Sequence, residues 1–505
     1  MNVSSDQNSV PLAQRVVQGG LWAAGSSYVT VVVGFTATVI MARLLSPKDF
    51  GTLAIANFIF GILNVRGKLT LGQAYIRQPE SSGRALGTLL ALELGISGVS
   101  FFFALIGAPF LHLLGYDADV AGVVIAMALI NILNALAGIP AAMLDRNLRM
   151  GYNSAILAIC FPLSYLPAIF LAAKGWQVWS LVVQLALQNI FVTCATFWVA
   201  HKELRHEFRL RWSFDRALAK EFLRFGATLS FAVIAGFLAT QFDNFLVGTF
   251  VGLATLGFYD RAYRFASIPD LLVSNIVARN AFLAYSRLQN DRARLSKTLD
   301  MTIWIITALA FPLALVLFVI APDLIEFLLG SQWLPSVVYL RFLLIYSLIR
   351  PIQEDLGALL IALGKTHLVS IALWIENIIL LVVALALTLM FGAAGTAIGV
   401  GAAFGIGCLI LFRWAVREID VAWAARVGQP VMITLLALAI YYFANGAFNW
   451  NDFDLFPRLL LKTFFTFALF YALLLSRECH SEHIRFAQCK LREESCSFNR
   501  NLDRQ

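Results

Sequence analysis

Charged side chains stand inside apolar runs of this 505-residue sequence, and their spacing defines the chemistry open to it. Arg261 and Arg264 lie one helical turn apart, so a helix would carry both on one face as a cationic patch. Arg279 lies deeper in the same run, and Arg341 and Arg350 follow in a later one. Arg350 and Glu354 have the four-residue spacing of a helical ion pair, and the adjacent Asp355 faces elsewhere. Glu93 and Glu376 are lone acids in apolar stretches, and Asp243 and Asn244 close another. A charge in hydrocarbon is costly, so each is a functional candidate by default. The arginines suit an anion. Glu93, Asp243, Arg350, Glu354, Asp355 and Glu376 suit coupling to a proton or a sodium ion. Each has a plainer reading too. Arg261 and Arg264 can snorkel to headgroups or pair with Asp260, and Arg279 can sit at headgroup level. Arg350–Glu354 can be structural, Asp243–Asn244 can cap a loop, and the two glutamates can simply be hydrogen-bonded.

The elements that position these residues are membrane helices. The sequence is 60% hydrophobic and 13% charged, and its mean hydropathy is +0.77. A soluble domain averages about 25% charged residues, so the surplus apolar surface needs lipid as its solvent. Crossing the hydrocarbon takes about 20 apolar residues. Fourteen windows qualify: 20–42, 51–65, 85–107, 119–143, 154–173, 178–200, 222–247, 254–284, 299–321, 335–363, 368–390, 394–412, 429–445 and 459–476. The stretch from Leu368 to Arg413 is long enough for two passes around Gly392. Period-two alternation is absent, which argues against a β-barrel. The first run is too long for a signal-peptide core and reads as a permanent helix. Cys160, Cys194 and Cys408 sit in apolar runs as packing residues, and Cys479, Cys489 and Cys496 fall in a polar tail. Nothing resembles a disulfide framework.

Lys and Arg crowd one set of alternate loops; the other set holds only Arg43, Lys48, Lys174, Arg458 and Lys462. That bias places both termini in the cytoplasm. The net charge of +8 is mostly this topology, not a nucleic-acid footprint. The loops on the other side are short, and the basic stretch from His201 to Lys220 reads as an interfacial linker. The two halves echo each other. Gly20 and Gly226, and again Gly51 and Gly257, stand 206 positions apart. The pattern predicts an all-α integral membrane protein of about fourteen helices. Its expected parts are an N-terminal six-helix bundle (1–200), a cytoplasmic linker (201–220), a second six-helix bundle (221–420), two further helices (421–476) and a cytoplasmic tail (477–505).

The loop Ala42-Arg43-Leu44-Leu45-Ser46-Pro47-Lys48-Asp49-Phe50-Gly51 resembles a motif of bacterial polysaccharide exporters. These are the lipid-linked oligosaccharide flippases of the multidrug/oligosaccharidyl-lipid/polysaccharide superfamily. Matching segments follow in order: Leu71 to Arg77, Ile139 to Arg149, Gly175 to Val182, Gln241 to Asn244, Leu256 to Arg264 and Tyr285 to Gln289. One departure stands out: Lys68-Leu69-Thr70 replaces an acid and a glycine usual in the family, so coupling differs here if that acid holds the ion. The resemblance implies two pseudo-symmetric six-helix bundles around a central cavity that opens alternately to either side. It implies an undecaprenyl-pyrophosphate-linked glycan as cargo, moved to the outer leaflet of the inner membrane.

Such cargo needs cations for its pyrophosphate, and the guanidinium fork grips phosphate oxygens well. Arg261, Arg264 and Arg279 are the candidates, with Lys68, Gln73 and Arg77 meeting the pyrophosphate at the cytoplasmic face; the plainer reading of these three is positive-inside anchoring. No Gly-rich phosphate loop precedes a Lys-Ser/Thr pair, so drive by a gradient or the membrane potential is expected, with no cofactor beyond a coupling ion. Cys479, His480 and His483 have poor metal spacing. Two other readings remain: a cation-coupled exporter of drugs or another lipid-linked precursor, and a membrane glycan polymerase or ligase. The first prefers an acid-rich cavity, and the second is expected to need a large outer loop. Partners would be membrane lipids and a polysaccharide polymerase or glycosyltransferases; a monomer suffices and nucleic acid is not expected.

Overall fold

The computed structural model describes residues 30–64, 67, 69–78, 83–147, 149–204, 213–419, 423–447 and 450–478. Among them every regular element is helical, with no strand. In chain order the helices are α1 (Thr30–Leu44), α2 (Pro47–Leu63), α3 (Leu71–Ile76), α4 (Gly83–Leu113), α5 (Ala118–Arg146), α6 (Met150–Ala173), α7 (Val178–Glu203) and α8 (Arg216–Phe250). There follow α9 (Leu253–Ala266), α10 (Ile268–Leu288), α11 (Arg292–Leu329), α12 (Ser336–Ala362), α13 (Thr366–Ile379), α14 (Leu385–Val416), α15 (Trp423–Ala447) and α16 (Leu455–Glu478). Ten spans among the described residues are long and apolar enough to cross a membrane. With the shorter α1, α2 and the α9–α10 pair, and with the longest span broken in two at Gly392, this is compatible with fourteen crossings.

The surface confirms the solvent. Phe103 (55% exposed), Phe110, Phe443 and Phe464 stand on it, and runs of such rings are tolerated only against lipid. Several expected boundaries move. The window 20–42 starts outside the described residues, and the helix seen there runs to Leu44. The window 254–284 is two helices, because Pro269 is confined to the first turn of a helix and restarts the chain after Ser267. Gly392 has φ 63° and ψ −146°, a conformation closed to most side chains, and it breaks α14. Past it the chain folds back: a Cβ on Gly395 would lie 2.0 Å from the Leu387 carbonyl oxygen. A Thr388–Thr396 hydroxyl bond of 2.8 Å holds that return.

The chain forms two compact units. The first comprises Met1–Asp260 and Leu380–Thr396, the second Arg261–Ile379 and Ala397–Gln505. In the first, α4, α6 and α7 pack on α5, and α2 lies along α8 through Phe58, whose ring is 5.8 Å from Phe237 and 5.0 Å from Phe245. In the second, α11 is the axis: two thirds of its spanning window is buried, against one sixth for α16. It packs against α10, α12, α15 and α16. An ion triad around buried Asp323 fastens α16 to it. The Asp323 carboxylate receives Arg458 at 3.0 Å and Lys462 at 2.6 Å.

Candidate functional site

The ordered motif at residues 42–51 is a built helix start. Ser46 is the N-cap of α2, and Asp49 closes a capping box by accepting from the Ser46 backbone N–H (2.9 Å) and hydroxyl (2.6 Å). Pro47 takes the first helical position, where its missing N–H costs nothing. Gly51 lets a second backbone come close: a Cβ there would lie 1.7 Å from the Leu253 carbonyl oxygen. The reverse contact also exists, since a Cβ on Gly257 would lie 1.8 Å from the Pro47 carbonyl oxygen. Pro47 and Leu253 are 206 positions apart, as are Gly51 and Gly257, so the two contacts map onto each other under the sequence echo. Beside this crossing Lys48 pairs with Asp117 at 2.7 Å, which raises the lysine pKa. Tyr116 bonds Thr249, and burial pushes the Tyr116 phenol up.

In the second unit three carboxylates receive separate treatment. Arg350 Nε donates to Glu354 at 2.9 Å, as the four-residue spacing predicts. The guanidinium also lies 5.2 Å from the Phe404 ring centre, and Tyr346 packs between Phe404 and Tyr263. Asp355 points the other way and is fully buried, accepting from Tyr285 of α10 and Thr302 of α11, both at 2.9 Å. Glu376 is fully buried and hydrogen-bonded: it accepts from the Gln353 amide at 2.5 Å. A Cβ on Gly407 would come within 2.5 Å of the same glutamate oxygen, so the glycine makes room for the carboxylate. Glu376 Oε1 and Gln353 Oε1 are buried without a hydrogen-bond partner. Such oxygens can accept a proton or ligate a small hard cation. Among the described residues no group of three or more His, Cys, Asp or Glu side chains is placed to hold a metal.

The remaining candidates divide. Asp243 and Asn244 do not close a helix; they lie inside α8, because that helix runs on to Phe250. There Asp243 is buried and accepts from Tyr259 at 2.9 Å, and the Asn244 amide donates to Gln241. Glu93 is buried on α4. Arg261 is 5% exposed, whereas Arg264, one turn on, is exposed, so one face does not mean one environment. Gln73 and Arg77 are exposed at α3. Lys68 and the side chain of Arg279 lie outside the described residues. Sequence reasoning missed Tyr259, Tyr285, Thr302, Gln353 and the Asp323 triad. The signal available for Asp323 was an acid bordering an apolar run, with two cations four residues apart in the last one.

Residues 40–338 match the protein family described as "Polysaccharide biosynthesis protein". The chain is similar to the succinoglycan biosynthesis transport protein ExoT of Rhizobium meliloti (strain 1021), 28% identical over 325 residues and 64% of each chain. The alignment thus spans a little under two thirds of that relative. It is also similar to the lipopolysaccharide biosynthesis protein WzxC of Escherichia coli (strain K12), 21% identical over 357 residues, 71% of this chain and 72% of the relative. Among solved structures, the lipid II flippase MurJ in an inward closed conformation shares the fold, with a TM-score of 0.69 at 16% identity. That likeness covers 91% of this chain and 100% of the other. The helical, lipid-facing architecture, the ordered motifs and a family match over more than half of its length place this chain in the polysaccharide biosynthesis protein family.

Proposed function

We propose that this protein is a flippase that moves undecaprenyl-pyrophosphate-linked oligosaccharide repeat units across the bacterial inner membrane by alternating access, for export of surface polysaccharide. The carrying observation is a buried guanidinium, Arg261, in a multi-pass chain of this family. A pyrophosphate must shed water to cross hydrocarbon, and a fixed guanidinium replaces part of that hydration. In this reading Arg261, Arg264 and Arg279 hold the pyrophosphate within the membrane, and Lys68, Gln73 and Arg77 receive it on the cytoplasmic side. Glu93, Asp243, Arg350, Glu354, Asp355 and Glu376 form the set from which a coupling proton or sodium ion is bound. No covalent bond is made or broken, so the protein is a carrier and not an enzyme. Both termini face the cytoplasm, and a monomer is sufficient.

The test uses purified protein in liposomes with a fluorescent undecaprenyl-pyrophosphate oligosaccharide, scored by an impermeant glycan probe on the outer leaflet. Wild type should translocate, and Arg261→Ala should lose most of that activity at equal folding. Absence of translocation by wild type, with and without an imposed ion gradient, overturns the reading. Translocation unaffected by Arg261→Ala, Arg264→Ala and Arg279→Ala keeps the function and removes the assigned path.

A further inference from the structure

A cavity of about 300 Å³ opens in the first unit between α3 and the first turns of α8. Ala74, Arg77, Glu221, Phe222, Arg224 and Phe225 line it. Phe222 is fully buried in the core behind it. The Arg77 guanidinium stacks over the Phe225 ring, 5.0 Å from its centre. Stacking fixes the plane of the guanidinium and leaves its N–H edge for phosphate oxygens. Arg224 supplies a second guanidinium from one turn of α8.

Two backbone-level contacts make the cleft preformed. A Cβ on Gly226 would lie 2.4 Å from the Leu69 carbonyl oxygen, so α8 is pinned directly against the segment leading into α3. On the far side of α3, Arg146 donates to the Tyr75 carbonyl at 3.0 Å and lies over the Tyr75 ring. The depth is also telling. Lys220, Glu221 and Arg224 crowd the first turns of α8 just where its apolar run starts, and charges at the end of a membrane helix belong at the level of lipid headgroups.

We propose that this cleft binds the phosphate of an anionic lipid headgroup, with Arg77 and Arg224 as the two donors. Its lining charge is two guanidiniums against the one carboxylate of Glu221, a net positive site of a size ordinary for ligand pockets. Glu221 opposes the phosphate and tempers the affinity. The inference needs only the membrane placement of the chain and stands whether or not the chain moves a glycan.

The experiment measures binding in neutral detergent by native mass spectrometry and by thermal stabilisation of the full-length protein. The probes are phosphatidylglycerol, phosphatidylcholine, undecaprenyl pyrophosphate and inorganic phosphate at matched concentration. Arg77→Gln and Arg224→Gln should each weaken phosphatidylglycerol binding by about tenfold, and Arg417→Gln, another arginine of the basic side, should not. Glu221→Gln should tighten it, a gain that a folding defect cannot mimic. Preferential, arginine-dependent binding of undecaprenyl pyrophosphate over phosphatidylglycerol would identify the lipid as the cargo carrier. Unchanged affinity in both arginine variants, equal binding of phosphatidylcholine, or weaker binding in Glu221→Gln overturns the proposal. Equal stabilisation by free inorganic phosphate overturns its lipid part. Because the readout is binding in detergent, its failure is separate from failure of the translocation assay.

Discussion

Gly51→Ala tests the crossing of α2 and α9 most directly. The new Cβ would sit 1.7 Å from the Leu253 carbonyl oxygen, where real Cβ contacts stay at or above 3.0 Å. The two backbones must therefore part by at least about 1.3 Å, because neither partner is a side chain that can rotate away. Inserting one methyl group into a well-packed site costs about 1–3 kcal/mol, and a backbone-to-backbone clash belongs at the upper end. Alanine recovers up to about 1 kcal/mol of helix propensity. The net expectation is a loss of about 2 kcal/mol. Gly257→Ala should cost the same, since its Cβ meets the Pro47 carbonyl at 1.8 Å. The double variant should cost less than the sum, because one separation relieves both clashes. Gly138→Ala is the control: nothing lies within 4 Å of its Cβ, so stability should hold or rise. The assay is thermal unfolding in detergent, with translocation measured in parallel. If Gly51→Ala unfolds at the same temperature as Gly138→Ala, or the double variant is strictly additive, the crossing does not exist as described.

Other outcomes follow from the buried polar groups. Asp323→Asn leaves Arg458 and Lys462 facing each other without their carboxylate. It should destabilise by about 3 kcal/mol, read as earlier proteolytic release of α16; unchanged release would refute the triad's anchoring role. Tyr285→Phe removes one donor to buried Asp355 and should cost about 1–2 kcal/mol in thermal unfolding, with a smaller loss for Tyr346→Phe. Glu376→Gln keeps the shape beside Gly407 and removes the charge. If Glu376 carries the coupling ion, stimulation of transport by an imposed gradient should fall about tenfold while gradient-free exchange persists; full stimulation excludes it. Lys48→Ala breaks an exposed pair with Asp117 and should shift stability by no more than about 0.5 kcal/mol.

The glutamates and aspartates show how far a single sequence reaches. Arg350–Glu354 was legible because helical pairing at four residues is a local property of the backbone. Its neighbour Asp355 was correctly turned away from that pair, yet its partners lie 70 and 53 residues off on two other helices. Glu376 read as a lone acid because Gln353, its donor, is 23 residues upstream on α12. Arg261 and Arg264 read as one patch, and packing then buried one and exposed the other. The Asp323 triad joins residues 139 positions apart, beyond the reach of any helical period.

The sequence by itself determined that this is a helical protein of many spans, because backbone groups in lipid must be satisfied within each segment and apolar length is written locally. It also determined the Gly392 break and the family, through short motifs whose physics is local. Only the tertiary structure decided which helix faces meet, which carboxylate gains which hydroxyl or amide, and that Gly51 and Gly257 touch each other's helices reciprocally. Helix-to-helix contacts depend on the shapes of surfaces brought together from distant parts of the chain, and no spacing within one segment encodes them.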